Sequence, residues 1–163
     1  MKYLSLVLIS LVLSGQSALP QGHASPLHVA KLVAPGTYTS PDGKYAAKIK
    51  IGEGEARILT VLQKTSLGGW TKTSSDIVSV VNFIWCPKKP HFLIVATDGV
   101  YGPGLLDVWQ PSSGLKELGK SYRDGGWYRI TSISNTGDRV YFEHGLNDIT
   151  SDKSRIYSKN LPK

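Results

Sequence analysis

The chain has 163 residues, with 19 Lys and Arg against 12 Asp and Glu and a formal net charge of +7 at pH 7. Its single cysteine, Cys86, excludes an intrachain disulfide, so the fold must stand on burial alone. The cations are scattered, with no Arg-rich block and no aromatic–basic nucleic-acid signature, so no nucleic-acid partner is expected; the charge suits anionic envelope polymers, anionic lipid surfaces or an acidic protein.

The first two dozen residues read as a signal peptide. Lys2 gives a positive start, Leu4 to Leu13 (LSLVLISLVL) is an apolar run too short to span a membrane, and Gly22-His23-Ala24 places small residues around a cut after Ala24. Cuts after Ser17 or Ala18 fit the same rule. The segment carries no cysteine for lipid attachment, and no later apolar stretch approaches membrane-spanning length. Export to the periplasm or the medium is the expectation, with residues 25–163 as one domain.

After a strand-like segment at His28 to Ala34 (HVAKLVA), Thr37 to Thr39 runs into Ser40-Pro41-Asp42-Gly43-Lys44 and out through Tyr45 to Ile51. Proline presets φ and glycine accepts positive φ, so this is a tight hairpin. A glycine-rich loop, Gly52 to Glu55, precedes a third strand at Arg57 to Leu62; the Gly68-Gly69 turn precedes a fourth at Trp70 to Thr73.

The pattern recurs with a period of about 47 residues, the mark of a repeat architecture. Val80 to Trp85 leads into Cys86-Pro87-Lys88-Lys89-Pro90-His91, then Phe92 to Thr97, the loop Thr97 to Gly104, and strands at Leu105 to Trp109 and Leu115 to Leu118. Ile130 to Ile133 leads into Ser134-Asn135-Thr136-Gly137-Asp138-Arg139, then Val140 to Glu143, the loop His144 to Ser154, and Arg155 to Ser158. No stretch sustains helical apolar spacing. The predicted fold is all-β, three four-stranded antiparallel blade-like sheets at about 36–76, 77–122 and 123–161, with a β-sandwich as the alternative.

These residues resemble the blade of TolB-type, WD-like β-propeller repeat proteins. Ser40 to Lys44 carries the hallmark; Cys86-Pro87 keeps its proline and Gly137 its glycine. The resemblance spans residues 36 to 161 and implies a partial, half-propeller used for protein–protein scaffolding in a bacterial periplasm. Propellers close with about four to eight blades, so three blades should leave apolar end faces. The third unit lacks its fourth strand. Exchange of the His28–Ala34 strand between two chains would supply it and close a six-bladed homodimer.

Chemistry is sparse. There is no Gly-x-Ser-x-Gly elbow, no Cys/His arrangement of a known kind and no calcium-loop spacing around His144, Asn147, Asp148 and Asp152. Asp98, Asp107 and Asp124 are available for acid–base work, but spacing selects no pair. No cofactor or metal is expected, and Cys86 reads as a buried, inert thiol. The candidate binding face gathers Tyr101, Tyr122, Arg123, Trp127, Tyr128 and His144. Its centre is Ser121 to Arg129 (SYRDGGWYR), read as an inter-blade loop carrying residue types enriched at hot spots. The expected function is a non-enzymatic recognition or scaffolding module for a protein or an envelope polysaccharide. The alternatives are a small hydrolase or lyase of envelope polymers and an oligomer-forming structural protein.

Overall fold

β-Branched and aromatic residues between glycine turns produce short strands throughout. The computed structural model describes residues 27–28, 33–99, 103–124, 126–146 and 155–163. Within them lie β1 (Leu27–His28), β2 (Gly36–Thr39), β3 (Tyr45–Ile51), β4 (Arg57–Lys64), β5 (Trp70–Lys72) and β6 (Val80–Trp85). They continue with β7 (Leu93–Thr97), β8 (Pro103–Gln110), β9 (Gly114–Asp124), β10 (Gly126–Ile133), β11 (Arg139–Leu146) and β12 (Arg155–Asn160). The strands form three four-stranded antiparallel sheets, β2-β3-β4-β5, β6-β7-β8-β9 and β1-β10-β11-β12. The chain is all-β, as its turn spacing predicts; a one-turn 3-10 segment at Glu53–Glu55 is the sole helical element described. Among the described residues, no helix is long and apolar enough to cross a membrane.

The first turns of the first and third units are built alike. In the first, Ser40 N–H donates to the Tyr45 carbonyl (2.8 Å), Gly43 N–H to the Ser40 carbonyl (2.9 Å), and Ser40 Oγ accepts from Tyr45 N–H (3.0 Å). In the third, Ser134, Gly137 and Arg139 make the same three bonds at 2.8, 2.9 and 3.0 Å. Gly43 and Gly137 both have φ near +70°, where a side chain is costly. In the second unit Cys86 takes the serine's place and its N–H donates to the Phe92 carbonyl, but its thiol turns outward to the Gly137 carbonyl at 3.4 Å.

The sheets stack in chain order, with the second in the middle. Tyr38, Ala47, Ile49, Leu59 and Val61 of the first sheet pack on Phe83, Trp85, Leu93, Val95 and Trp109 of the second. The opposite face of the second sheet, with Ile94, Ala96, Leu106 and Val108, packs on Tyr128, Ile130, Val140 and Phe142 of the third. A sheet buried on both faces favours apolar residues on both, which is why β6, β7 and β8 are mostly apolar, with Asn82 and Asp107 as buried polar exceptions. The outer sheets alternate.

The inner edges are laced together. Beyond β1, Val33 N–H donates to the Val81 carbonyl of β6, and the chain then enters the first sheet as β2. Asn82 of β6 bonds to the main chain of Ile130, and Trp85 Nε1 donates to the Tyr38 carbonyl at 3.0 Å.

Two expectations are corrected. The N-terminal strand is Leu27–His28, not His28–Ala34: Val33 and Ala34 are not in a strand, and residues 29–32 lie outside the described region. It pairs with β10 of its own chain, at the inner edge, and leaves β12 as the outer edge. The end faces are also mixed and not uniformly apolar, because strand alternation turns polar residues outward beside the exposed Ile156 of the third sheet. The first sheet presents Lys48, Lys50, Lys64 and Lys72; the third presents an Arg129–Glu143 ion pair and Arg139 bonded to Asn160. The fourth strand of the third sheet, whose absence suggested strand exchange between two chains, is supplied here by β1 of the same chain.

Candidate functional site

The residues singled out in the sequence do not form one exposed face. Ser121 to Arg129 is not a loop: residues 121–124 end β9 and 126–129 begin β10. Tyr122 and Arg123 therefore stand in a strand. Opposed pairs of an antiparallel sheet share a face, and neighbours along a strand do not. Trp127, opposite Gly145, is 1% exposed, with its ring over that glycine, where a Cβ would sit 2.7 Å from the indole. Arg129 lies over the same indole at 5.5 Å. Trp127 is thus part of the packed outer face of the third sheet.

Tyr128 and His144, an opposed pair, point the other way, between the second and third sheets, with ring centroids 4.7 Å apart. His144 Nε2 is buried without a hydrogen-bond partner among the described residues, and burial holds its pKa below the ordinary value. Tyr101, Asn147, Asp148 and Asp152 lie outside the described residues. No cluster of metal-ligating side chains occurs among those described.

The concave or flat regions among the described residues include three of distinct chemistry. A cleft of about 610 Å³ opens between β9 and β12, with Tyr128 and Gly119 at its floor and Glu117, Lys120 and Lys159 on its walls. Lys159 Nζ donates to the Leu118 carbonyl across it, so one of its two cations is engaged. A groove of about 420 Å³ between the first two sheets is lined by the 73–77 segment on one side and by Leu105, Asp107, Trp109 and Leu115 on the other.

The third region is the outer face of the first sheet. Lys48 and Lys50 alternate along β3 with the buried Ile49, so both ammonium groups point outward. Lys48 lies opposite Thr37 and Thr60, and Leu62 opposite Lys72, which places all of them on one face. Lys64 and Trp70, also opposed, extend it to the edge strand, where the indole is 41% exposed. Asp76 is the sole acid lining this depression; it accepts from Lys72 Nζ at 2.9 Å and from Thr60 Oγ1. Those two bonds hold its carboxyl below the ordinary carboxylate pKa.

No protein-family model, curated protein or solved structure matches this chain. The basic face was partly visible in the sequence as Lys-x-Lys in the strand Tyr45 to Ile51, which puts two cations on one side. That Trp70 and Lys72 join them depends on register, which the sequence does not state.

Proposed function

We propose that this protein is an exported, non-enzymatic recognition module of the half-propeller type, and that the outer face of its first sheet binds an anionic polysaccharide of the cell envelope. The observation that carries the reading is four lysines and a half-exposed tryptophan on one flat sheet face with a single, already paired acid. Lys48 and Lys50 stand about 7 Å apart along their strand, a spacing suited to successive charges on an extended chain. A sugar ring can lie flat on an indole, while threonine hydroxyls at Thr37 and Thr60 offer hydrogen bonds. Lysines alone would serve solubility; an indole exposed beside them does nothing for it.

The TolB-type resemblance favours a protein partner, and the composition of this face favours a polymer. Protein interfaces are depleted in lysine, whereas charge attraction to a polyanion uses it directly. The apolar leader and the net charge of +7 support the same destination and ligand sign.

The test is retention on polygalacturonate–agarose against uncharged agarose, eluted with a salt gradient. Wild type should be retained and elute with salt, because exposed charge pairs are screened. Lys48→Glu/Lys50→Glu should pass through, and Trp70→Ala should elute earlier at unchanged charge. Co-elution of the double variant with wild type overturns the site; co-elution of Trp70→Ala overturns the polysaccharide and leaves ion exchange.

A further inference from the structure

The groove between the first two sheets holds a feature that packing alone does not require. Asp107 lies in β8, in the run Leu105-Leu106-Asp107-Val108-Trp109, where every neighbour is apolar. Alternation puts Leu105, Asp107 and Trp109 on the face turned to the first sheet. Asp107 is 3% exposed, and its Oδ2 has no hydrogen-bond partner among the described residues. A buried acid without a partner is costly and persists where something else uses it.

Its surroundings define what that could be. The groove of about 420 Å³ has apolar walls from Leu105, Trp109, Ile77 and Leu115, and a polar lip at Ser74, Ser75 and Asp76. Glu117 stands opposite Asp107 on β9 and is also negative. No lysine or arginine lines the groove among the described residues, and Lys72, just before the 73–77 segment, is bound to Asp76. A basic protein thus encloses an apolar, acid-floored groove that meets its basic face at Asp76.

We infer that this groove binds a small organic cation, a primary ammonium on an apolar body, with the ammonium bonded to the Asp107 carboxylate and the body against Leu105, Ile77 and Trp109. A bare divalent ion is a poor fit, since no group of three ligating side chains gathers there among the described residues. An ammonium supplies the donor that Oδ2 lacks, and an apolar body displaces water from walls that bond it weakly. Burial pushes the Asp107 carboxyl up to about 7, with Glu117 adding to the rise, and a bound ammonium would draw that value down.

The probe is phenethylammonium chloride, with 2-phenylethanol as the uncharged analogue of the same shape, each titrated by calorimetry at pH 8. Saturable binding of the amine, weakened at least tenfold by Asp107→Asn and by the loss of charge, is the expected result. No binding, or equal binding by the variant or the alcohol, overturns the site. If Asp107→Asn fails to fold by circular dichroism, the carboxyl of the wild type is followed by carbon NMR. A titration midpoint that falls on adding the amine supports the site, and an unmoved one overturns it.

Discussion

The carboxamide of Asn82 exchanges two hydrogen bonds with the main chain of Ile130: Nδ2 donates to the carbonyl at 2.7 Å, and Oδ1 accepts from the N–H at 3.0 Å. Asn82 is 1% exposed, and the two residues belong to the innermost paired strands of the second and third sheets. The side chain therefore acts as a one-residue strand. It covers the inner edge of β10 between the pairing with β1 at Ser132 and Ile133 and the bridge from Asp98 to Trp127. Unpaired main-chain groups at a buried edge are what such a contact prevents.

Replacing Asn82 with alanine should remove both bonds and strand two buried groups, at a cost of about 2–4 kcal/mol. Urea unfolding would show this as a lower midpoint with an unchanged slope. A midpoint within error of wild type would mean that water replaces the carboxamide and that the seam does not depend on it.

The repeated turns separate backbone strain from packing. At Gly43, with φ +70°, an added Cβ meets nothing within 4 Å; at Gly137, with φ +69°, it would lie 2.8 Å from Cys86 Sγ and 3.0 Å from Lys88 Cβ. Gly43→Ala should thus cost only the left-handed conformation, about 1 kcal/mol. Gly137→Ala should cost that and the collision with the second sheet, about 2–4 kcal/mol in total. Paired thermal melts check the difference, and equal losses would count against the Cys86–Gly137 seam.

The contrast between legible and illegible features follows the range of the interactions. Turn chemistry is local, so Ser40 to Lys44 and Ser134 to Arg139 announced their hairpins, and β3 and β6 have the bounds their sequences suggest. Cys86, expected to be buried, is 0% exposed. The Ser121–Arg129 stretch reads as a loop because Gly125-Gly126 follows the charged Arg123-Asp124; in the structure β9 ends at Asp124 and β10 begins at Gly126. Trp127 reads as a surface anchor because nothing local shows that, on the outer face of its strand, Gly145 of β11 and Arg129 cover its ring. The partner of β1 lies near the far end of the chain, and nothing local in Leu27–His28 specifies it. Asp107 did leave a signal, as the lone acid in an apolar strand.

The buried Asp107 and the partly buried His144 push the pH dependence of stability in opposite directions. Asp107 holds its proton up to about 7 in the folded chain, against 3.8 ordinarily, so between those values the native state binds the extra proton. Stability must fall as pH rises through that window, by about 4 kcal/mol at the upper limit and less where solvent reaches the carboxyl. His144 is depressed by burial, so the unfolded chain takes its proton first, and stability is lost as pH falls through and below 6.5. Asp107→Asn should gain stability over wild type at about pH 8 but not at about pH 4, leaving the histidine's acid-side loss in view. His144→Phe, which keeps a ring against Tyr128 and Tyr157, should remove that loss and leave the decline on the alkaline side. Urea midpoints across this range for the three proteins check both signs. Parallel curves would show that neither group is buried as the structure has it.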